Sequence, residues 1–215
     1  MAYKVKNTCV QVEVLVMGML DNNVYIVDDG EGCFVVDPTC DADRILEAIG
    51  ERALDAIVIT HGHWDHTGAA ADLRSATGAR VIASAADTPA VTGEAPFGGH
   101  FSQNEPCEVD QMVEDGDIVE IGSMKWQVIA TPGHTLGSVC FYLEPAEGQS
   151  GAPVLISGDT LFAGTCGRTD FPESNPKLMR SSLARLRKLP DETIVLPGHN
   201  NLSTIAREKT WLPED

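Results

Sequence analysis

The chain has 215 residues, 43% hydrophobic and 22% charged, proportions that supply a buried core and exclude a disordered polar chain. Its 15 Lys and Arg against 32 Asp and Glu leave a formal net charge of −17. That charge repels phosphate backbones, so nucleic-acid binding is set aside, and no apolar run approaches the ~20 residues of a membrane span.

The stretch up to Leu20 superficially resembles a secretory signal. Gln11 and Glu13 interrupt it, Val10, Val12, Val14 and Val16 alternate with the period of a strand, and no small-residue cleavage site follows. A cytoplasmic chain is the expectation. The six cysteines (Cys9, Cys33, Cys40, Cys107, Cys140, Cys166) form no C-x-x-C pair and read as reduced thiols. Cys166 is the one that could line a pocket, although a structural thiol is the simpler reading.

Strands are predicted at residues 10–16, 24–27 and 34–37, separated by the turn signals of Asp28-Asp-Gly and Glu31-Gly. A helix follows over 41–49, ended by Gly50. Residues 56–60 form a buried-strand run, then come a polar segment at 61–66, a helix over 67–76 and a strand at 81–84. This order is that of an α/β sandwich, in which functional groups collect at the carboxyl ends of strands. Residues 92–115, rich in Gly, Pro and acids, read as one long surface loop of the lid or binding kind. The second half repeats the style of the first, with strands at 118–121, 125–129, 138–143, 154–157 and 193–196 and a helix over 176–188.

The chemistry lies at the strand ends. His61, His63, Asp65 and His66 form H-x-H-x-D-H directly after a buried strand. In an extended turn His61 and His63 point the same way and can chelate one divalent ion, while Asp65 and His66 turn toward an adjacent position. His134 follows a strand and a Pro-Gly turn, His199 does the same, and Asp159 ends Ser157-Gly-Asp. A lone histidine is usually a hydrogen-bonded structural residue. Here, of the six, only His100 lies away from a strand end, and the grouping reverses that reading.

The ordered set H-x-H-x-D-H, P-G-H-T, S-G-D-T-L-F and P-G-H resembles the metallo-β-lactamase superfamily over nearly the whole chain. The resemblance implies a four-layer αββα sandwich and two divalent metal ions, zinc first, with iron or manganese acceptable to the same ligands. It assigns His61, His63 and His134 to one ion and Asp65, His66 and His199 to the other, with Asp159 bridging. The implied chemistry is hydrolysis by a metal-bridging hydroxide, with Asp65 both a ligand and the acceptor that orients the nucleophile's proton.

Within the superfamily, residues 158–168 are similar to the glyoxalase II branch, which implies a small-molecule thioester of the hydroxyacylglutathione type as substrate and Arg168 as a contact to its anionic part. The equal alternative for Arg168 is a surface salt bridge. Asp170 stands where that branch has a tyrosine, and Asn200-Asn201 follow the last histidine where it has another. Only residues 200–215 follow His199, so the expectation is a single domain over 1–215 without that branch's C-terminal helical domain.

Thr165-Cys-Gly-Arg-Thr-Asp-Phe171 is also similar to the persulfide dioxygenases, which implies an alternative with one iron on His61, His134 and Asp159. A non-catalytic scaffold would not need seven ligands, and antibiotic cleavage is disfavoured by the segment at 158–162. Trp64 reads as a packing or rim residue.

Overall fold

In the computed structural model, residues 2–97 and 104–214 are described; His100 and the middle of the expected 92–115 loop lie outside them. The first half builds a seven-stranded sheet from β1 (Ala2–Lys4), β2 (Gln11–Met17), β3 (Asn22–Asp28), β4 (Cys33–Val36), β5 (Ala56–Val58), β6 (Arg80–Ser84) and β7 (Gln111–Val113), in sequence order. Its first four strands pair antiparallel and the rest parallel. Between them run α1 (Ala42–Ile49), α2 (Trp64–Thr67), α3 (Ala70–Thr77) and α4 (Thr88–Val91).

The second half builds a six-stranded sheet in the order β15-β14-β11-β10-β9-β8. These are β8 (Ile118–Ile121), β9 (Met124–Ala130), β10 (Val139–Leu143), β11 (Val154–Gly158), β14 (Ile194–Pro197) and β15 (Ser203–Thr204). A separate ribbon pairs β12 (Leu161–Phe162) with β13 (Thr165–Cys166), and α5 (Pro176–Leu186) and α6 (Ile205–Glu208) complete this half.

Three apolar clusters account for four layers. Alternate residues of the first sheet (Val12, Val14, Tyr25, Val27, Phe34, Val36) meet alternate residues of the second (Trp126, Val128, Phe141, Ile156) between the sheets. The opposite face of the first sheet packs Ile26, Val35 and Ile57 on Ile45 and Ile49 of α1 and Leu73 of α3. The opposite face of the second packs Cys140, Leu155 and Val195 on Met179, Leu183 and Leu186 of α5. Strands covered on both faces lose the polar alternation of a surface strand, which explains the near-continuous apolar runs in the sequence. The result is the expected αββα sandwich.

Local signals set the helix ends. Asp41 accepts the Arg44 backbone N–H and Gly50 closes α1, while the Asn175 carboxamide accepts from Lys177 and Leu178 at the start of α5, with Pro176 in its first turn. The helix expected over 67–76 is instead two, α2 and α3, broken at Gly68. A Cβ there would lie 2.0 Å from the Thr39 carbonyl oxygen, so the chain passes flush against residues 38–39 and starts a new helix from Ala69. The long loop expected over 92–115 is corrected at its end: residues 111–113 form β7, which pairs parallel with β6. Three residues with Met112 59% exposed carry too little apolar pattern to announce a strand. No helix among the described residues is long and apolar enough to cross a membrane, and all six cysteines are unpaired.

Trp126 is 1% exposed and stacks edge-on against Phe34 with ring centroids 5.5 Å apart, joining the two sheets. Trp126→Ala is expected to cost about 3–5 kcal/mol in urea denaturation, whereas Trp126→Phe, which deletes a buried indole N–H with no partner among the described residues, should cost less than about 1.5 kcal/mol.

Candidate metal centre

The carboxyl ends of β5, β9, β11 and β14 share one end of the sandwich, and the turns after them carry the histidines and aspartates singled out in the sequence. The sheets are stitched together there: Val139 N–H at the start of β10 donates to the Thr60 carbonyl at 3.0 Å, and the Tyr25 hydroxyl donates to the Pro197 carbonyl at 2.6 Å. The turn after β5 is held from both sides by buried carboxylates. Asp37 accepts from Thr60 N–H at 2.8 Å and from the Thr60 hydroxyl at 2.7 Å. Asp87 accepts from Gly62 N–H at 2.9 Å and from the Thr135 hydroxyl at 2.7 Å, tying this turn to the one that bears His134.

Two groups of candidate ligands result. His61, His63 and His134 present ligand atoms within 4.8 Å of one another, and so do Asp65, His66 and His199. Asp159 stands between the groups. Its Oδ2 is 3.4 Å from His134 Nε2 and 3.6 Å from His199 Nε2, and its Oδ1 is 3.5 Å from His66 Nε2. Gly198 permits this approach, since a Cβ there would lie 2.4 Å from Asp159 Oδ1 and 2.7 Å from His66 Cε1. Asp37, His61 and His66 are also close enough to hold an ion, but the Asp37 carboxylate is already engaged by Thr60 and His66.

Each imidazole is held by one nitrogen and aims the other inward. The outer nitrogens donate: His66 Nδ1 to Asp37 Oδ2 at 2.9 Å, His134 Nδ1 to the Arg168 carbonyl at 2.8 Å, and His199 Nδ1 to the Leu20 carbonyl at 3.0 Å. His63 donates from Nε2 to Glu173 Oε1 at 2.9 Å. The Thr60 hydroxyl has given its proton to Asp37, so at 3.0 Å it accepts from His61 Nδ1.

The inner atoms fit a cation. Among the described residues, His61 Nε2, His66 Nε2 and Asp159 Oδ1 are buried with no hydrogen-bond partner. His63 Nδ1 and His134 Nε2 face each other at 2.8 Å, and both are acceptors in the tautomers fixed above. Two lone pairs at that distance repel unless positive charge lies between them, and a divalent metal taking N and O ligands is the chemistry that satisfies the whole set.

Electrostatics divide the two groups. Burial pushes His61 well below the usual imidazole range, and the neighbouring His66 and His134 push it further. Burial likewise lowers His134, outweighing the nearby Asp159 carboxylate. Burial opposes the charged form of His66 too, but Asp159, Asp37 and Asp65 together overcome it and carry His66 up to about 10. Desolvation would raise Asp65, yet the hydrogen bond with His199 and the charge of His66 hold it well below the usual carboxylate range. Neutral imidazoles therefore make up much of one group, and charge-paired acids and bases the other.

All seven predicted ligands meet at this one place. Arg168 does not reach it with its side chain: the guanidinium pairs with Asp170 through contacts of 2.9 and 2.8 Å and lies 4.5 Å from the Phe171 ring centroid, while its carbonyl holds His134. Trp64 is half-buried and its carbonyl accepts from Asn104. Burial raises the Cys166 thiol. The rings of Phe97 and Phe171 pack against His63, and Phe162 against His199, giving the site an aromatic border.

Asp37, Asn22, Asp87 and Glu173 escaped the sequence reading. Asn22 donates to Asp65 Oδ2 at 3.0 Å. Asp37 had a signal, an acid closing an apolar strand run in the same form as Asp159; the other three are single polar residues outside any motif.

The sequence profile of the metallo-beta-lactamase superfamily matches residues 17–199. A hydroxyacylglutathione hydrolase of Pseudomonas putida is 37% identical over 183 residues, which are 83% of this chain and 62% of that protein, so the chain spans less than two thirds of that relative's length. Among solved structures, TTHA1623 in a di-iron-bound form shares 34% identity with a TM-score of 0.78, covering 94% of this chain and 98% of that one. ETHE1 from Myxococcus xanthus shares 30% identity with a TM-score of 0.76, covering 94% and 83%. With a profile match that spans every inward-facing residue described above, the chain belongs to the metallo-beta-lactamase superfamily.

Proposed function

We propose that this protein is a binuclear metal-dependent hydrolase of small-molecule thioesters of the hydroxyacylglutathione type. The observation that carries the reading is the placement of the Asp159 carboxylate within 3.6 Å of nitrogens from both ligand groups, His134 on one side and His66 and His199 on the other. His61, His63 and His134 would hold one ion, Asp65, His66 and His199 the second, and Asp159 both. Divalent ions bound there supply Lewis acidity toward the thioester carbonyl and a hydroxide nucleophile at neutral pH. Zinc is the first choice of metal by ligand chemistry, and the likeness to a di-iron-bound structure supports iron.

The chain's own residues supply orientation and exclusion of water. Asp65, braced by Asn22, accepts a hydrogen bond from the attacking water and aims its lone pair at the carbonyl carbon. Phe97, Phe162 and Phe171 border the site with apolar surface suited to an acyl chain and sulfur. Arg168, at the rim beside Phe171, is the group offered to an anionic part of the substrate, in competition with Asp170. Both partners of that pair are mostly exposed, so it is weak enough to yield to a substrate carboxylate.

A second reading, a mononuclear-iron persulfide dioxygenase using His61, His134 and Asp159, is supported by the 165–171 segment and by the likeness to ETHE1. The readings part on metal count and oxygen. Purified protein is expected to carry two metal ions per chain by elemental analysis and to cleave a hydroxyacylglutathione thioester anaerobically. One iron per chain with oxygen uptake on a persulfide would replace the hydrolase reading with the second. Chelation is expected to abolish thioester cleavage and lower the melting temperature, with both restored by zinc, because ions bound only by the folded chain stabilise it. Asp65→Asn should keep the fold by circular dichroism and lose turnover by roughly 100-fold or more; an active variant would remove Asp65 from the chemistry.

A further inference from the structure

Resting on the reading of two metal subsites, we propose that Glu173 is a positioning residue that sets how tightly the three-histidine subsite holds its ion, by fixing the tautomer of His63. His63 differs from its neighbours. Four of the five clustered imidazoles are held through Nδ1, three of them by Asp37 or by backbone carbonyls, whereas His63 is held through Nε2 by a carboxylate from the far half of the chain. The pair is nearly enclosed, with 10% and 14% of the two side chains exposed, and Glu173 Oε1 lies 2.9 Å from His63 Nε2. A carboxylate accepts and does not donate, so the proton must sit on Nε2. Nδ1 is thereby left with its lone pair toward His134 Nε2, 2.8 Å away.

The segment bearing Glu173 is built to hold this geometry. Ser174 donates from its hydroxyl to the His134 carbonyl at 2.6 Å, and Asn175 N–H donates to the Gly133 carbonyl at 2.8 Å. Ser174 N–H closes a turn on the Phe171 carbonyl at 3.0 Å, and the Phe171 ring packs on both His63 and His134. One short stretch ahead of α5 therefore bears on two of the three imidazoles of this subsite: Ser174 and Asn175 hold the turn that carries His134, and Glu173 supplies the hydrogen bond that fixes His63 Nε2. Without Glu173 the His63 ring can change tautomer or rotate, either of which removes Nδ1 from the ligand set. The Asp65, His66 and His199 subsite has its own supports in Asp37, Asn22 and the Leu20 carbonyl and does not depend on Glu173.

The test is zinc binding to full-length protein, resolved into two steps by competition with a chromophoric chelator, for wild type, Glu173→Ala and Glu173→Gln, with the electronic spectrum of the cobalt-substituted forms as a second readout. Glu173→Ala is expected to weaken one step by roughly 10–100-fold, leave the other within about threefold, and alter the cobalt spectrum. Glu173→Gln keeps an oxygen acceptor and should restore both the affinity and the spectrum. Unchanged binding by Glu173→Ala, an equal loss at both steps, or a Gln variant as weak as the Ala variant would each overturn the assignment. A wild type that binds no zinc in the two-step form is a different outcome and removes the metal-centre reading beneath it.

Discussion

The centre hangs on the Asp37 carboxylate. It closes β4 in a left-handed backbone conformation, with φ at 48°, and accepts three hydrogen bonds from the segment that follows β5: from the Thr60 amide, the Thr60 hydroxyl and His66 Nδ1. Those contacts pin both ends of the six-residue run that carries His61, His63, Asp65 and His66. Because Thr60 spends its hydroxyl proton on Asp37, it can only accept from His61, so the same carboxylate settles the tautomer of that ring indirectly. A buried acid left unpaired would be costly, and here every contact it makes also orients a candidate ligand.

Around this anchor the sandwich converts strand ends into geometry. The first sheet delivers the dense histidine turn, and the second delivers His134, Asp159 and His199 from three different strands. Neither the His61, His63, His134 group nor the Asp65, His66, His199 group is complete on one sheet, and the intersheet bonds at Thr60–Val139 and Tyr25–Pro197 tie the sheets together at the point where the groups meet. Asp87 then links the turn at Gly62 to the one at Thr135. Asp87 is buried, and that burial raises its pKa while those donors oppose the shift.

Much of this was legible in the sequence because it is written in local pattern. Apolar runs of strand length, each ended by a short turn with Gly, Asp or His, marked the carboxyl ends of β5, β9, β11 and β14, and the ligand residues sat in those turns. The break at Gly68 was not legible, since it arises from the approach of Thr39, which only the folded chain brings near. The short β7 and the β12–β13 ribbon are held by pairing partners and not by composition. Glu173 lies 110 residues from His63, in an irregular segment where acids are common, so its role comes wholly from tertiary proximity. The Arg168 side chain, prominent in the motif, points to the surface, and it is the carbonyl of that residue that serves His134, a contribution that no residue identity encodes.

The ligand set is long in sequence and short in space: Asn22 bridges to His199 across 177 positions, and both touch or belong to the same centre. During synthesis, then, the early histidine turn emerges well ahead of the opposing sheet that carries His134, Asp159 and His199. The second group closes only when His199, after β14, meets Asp65 and His66, so its completion requires that the two sheets have come together.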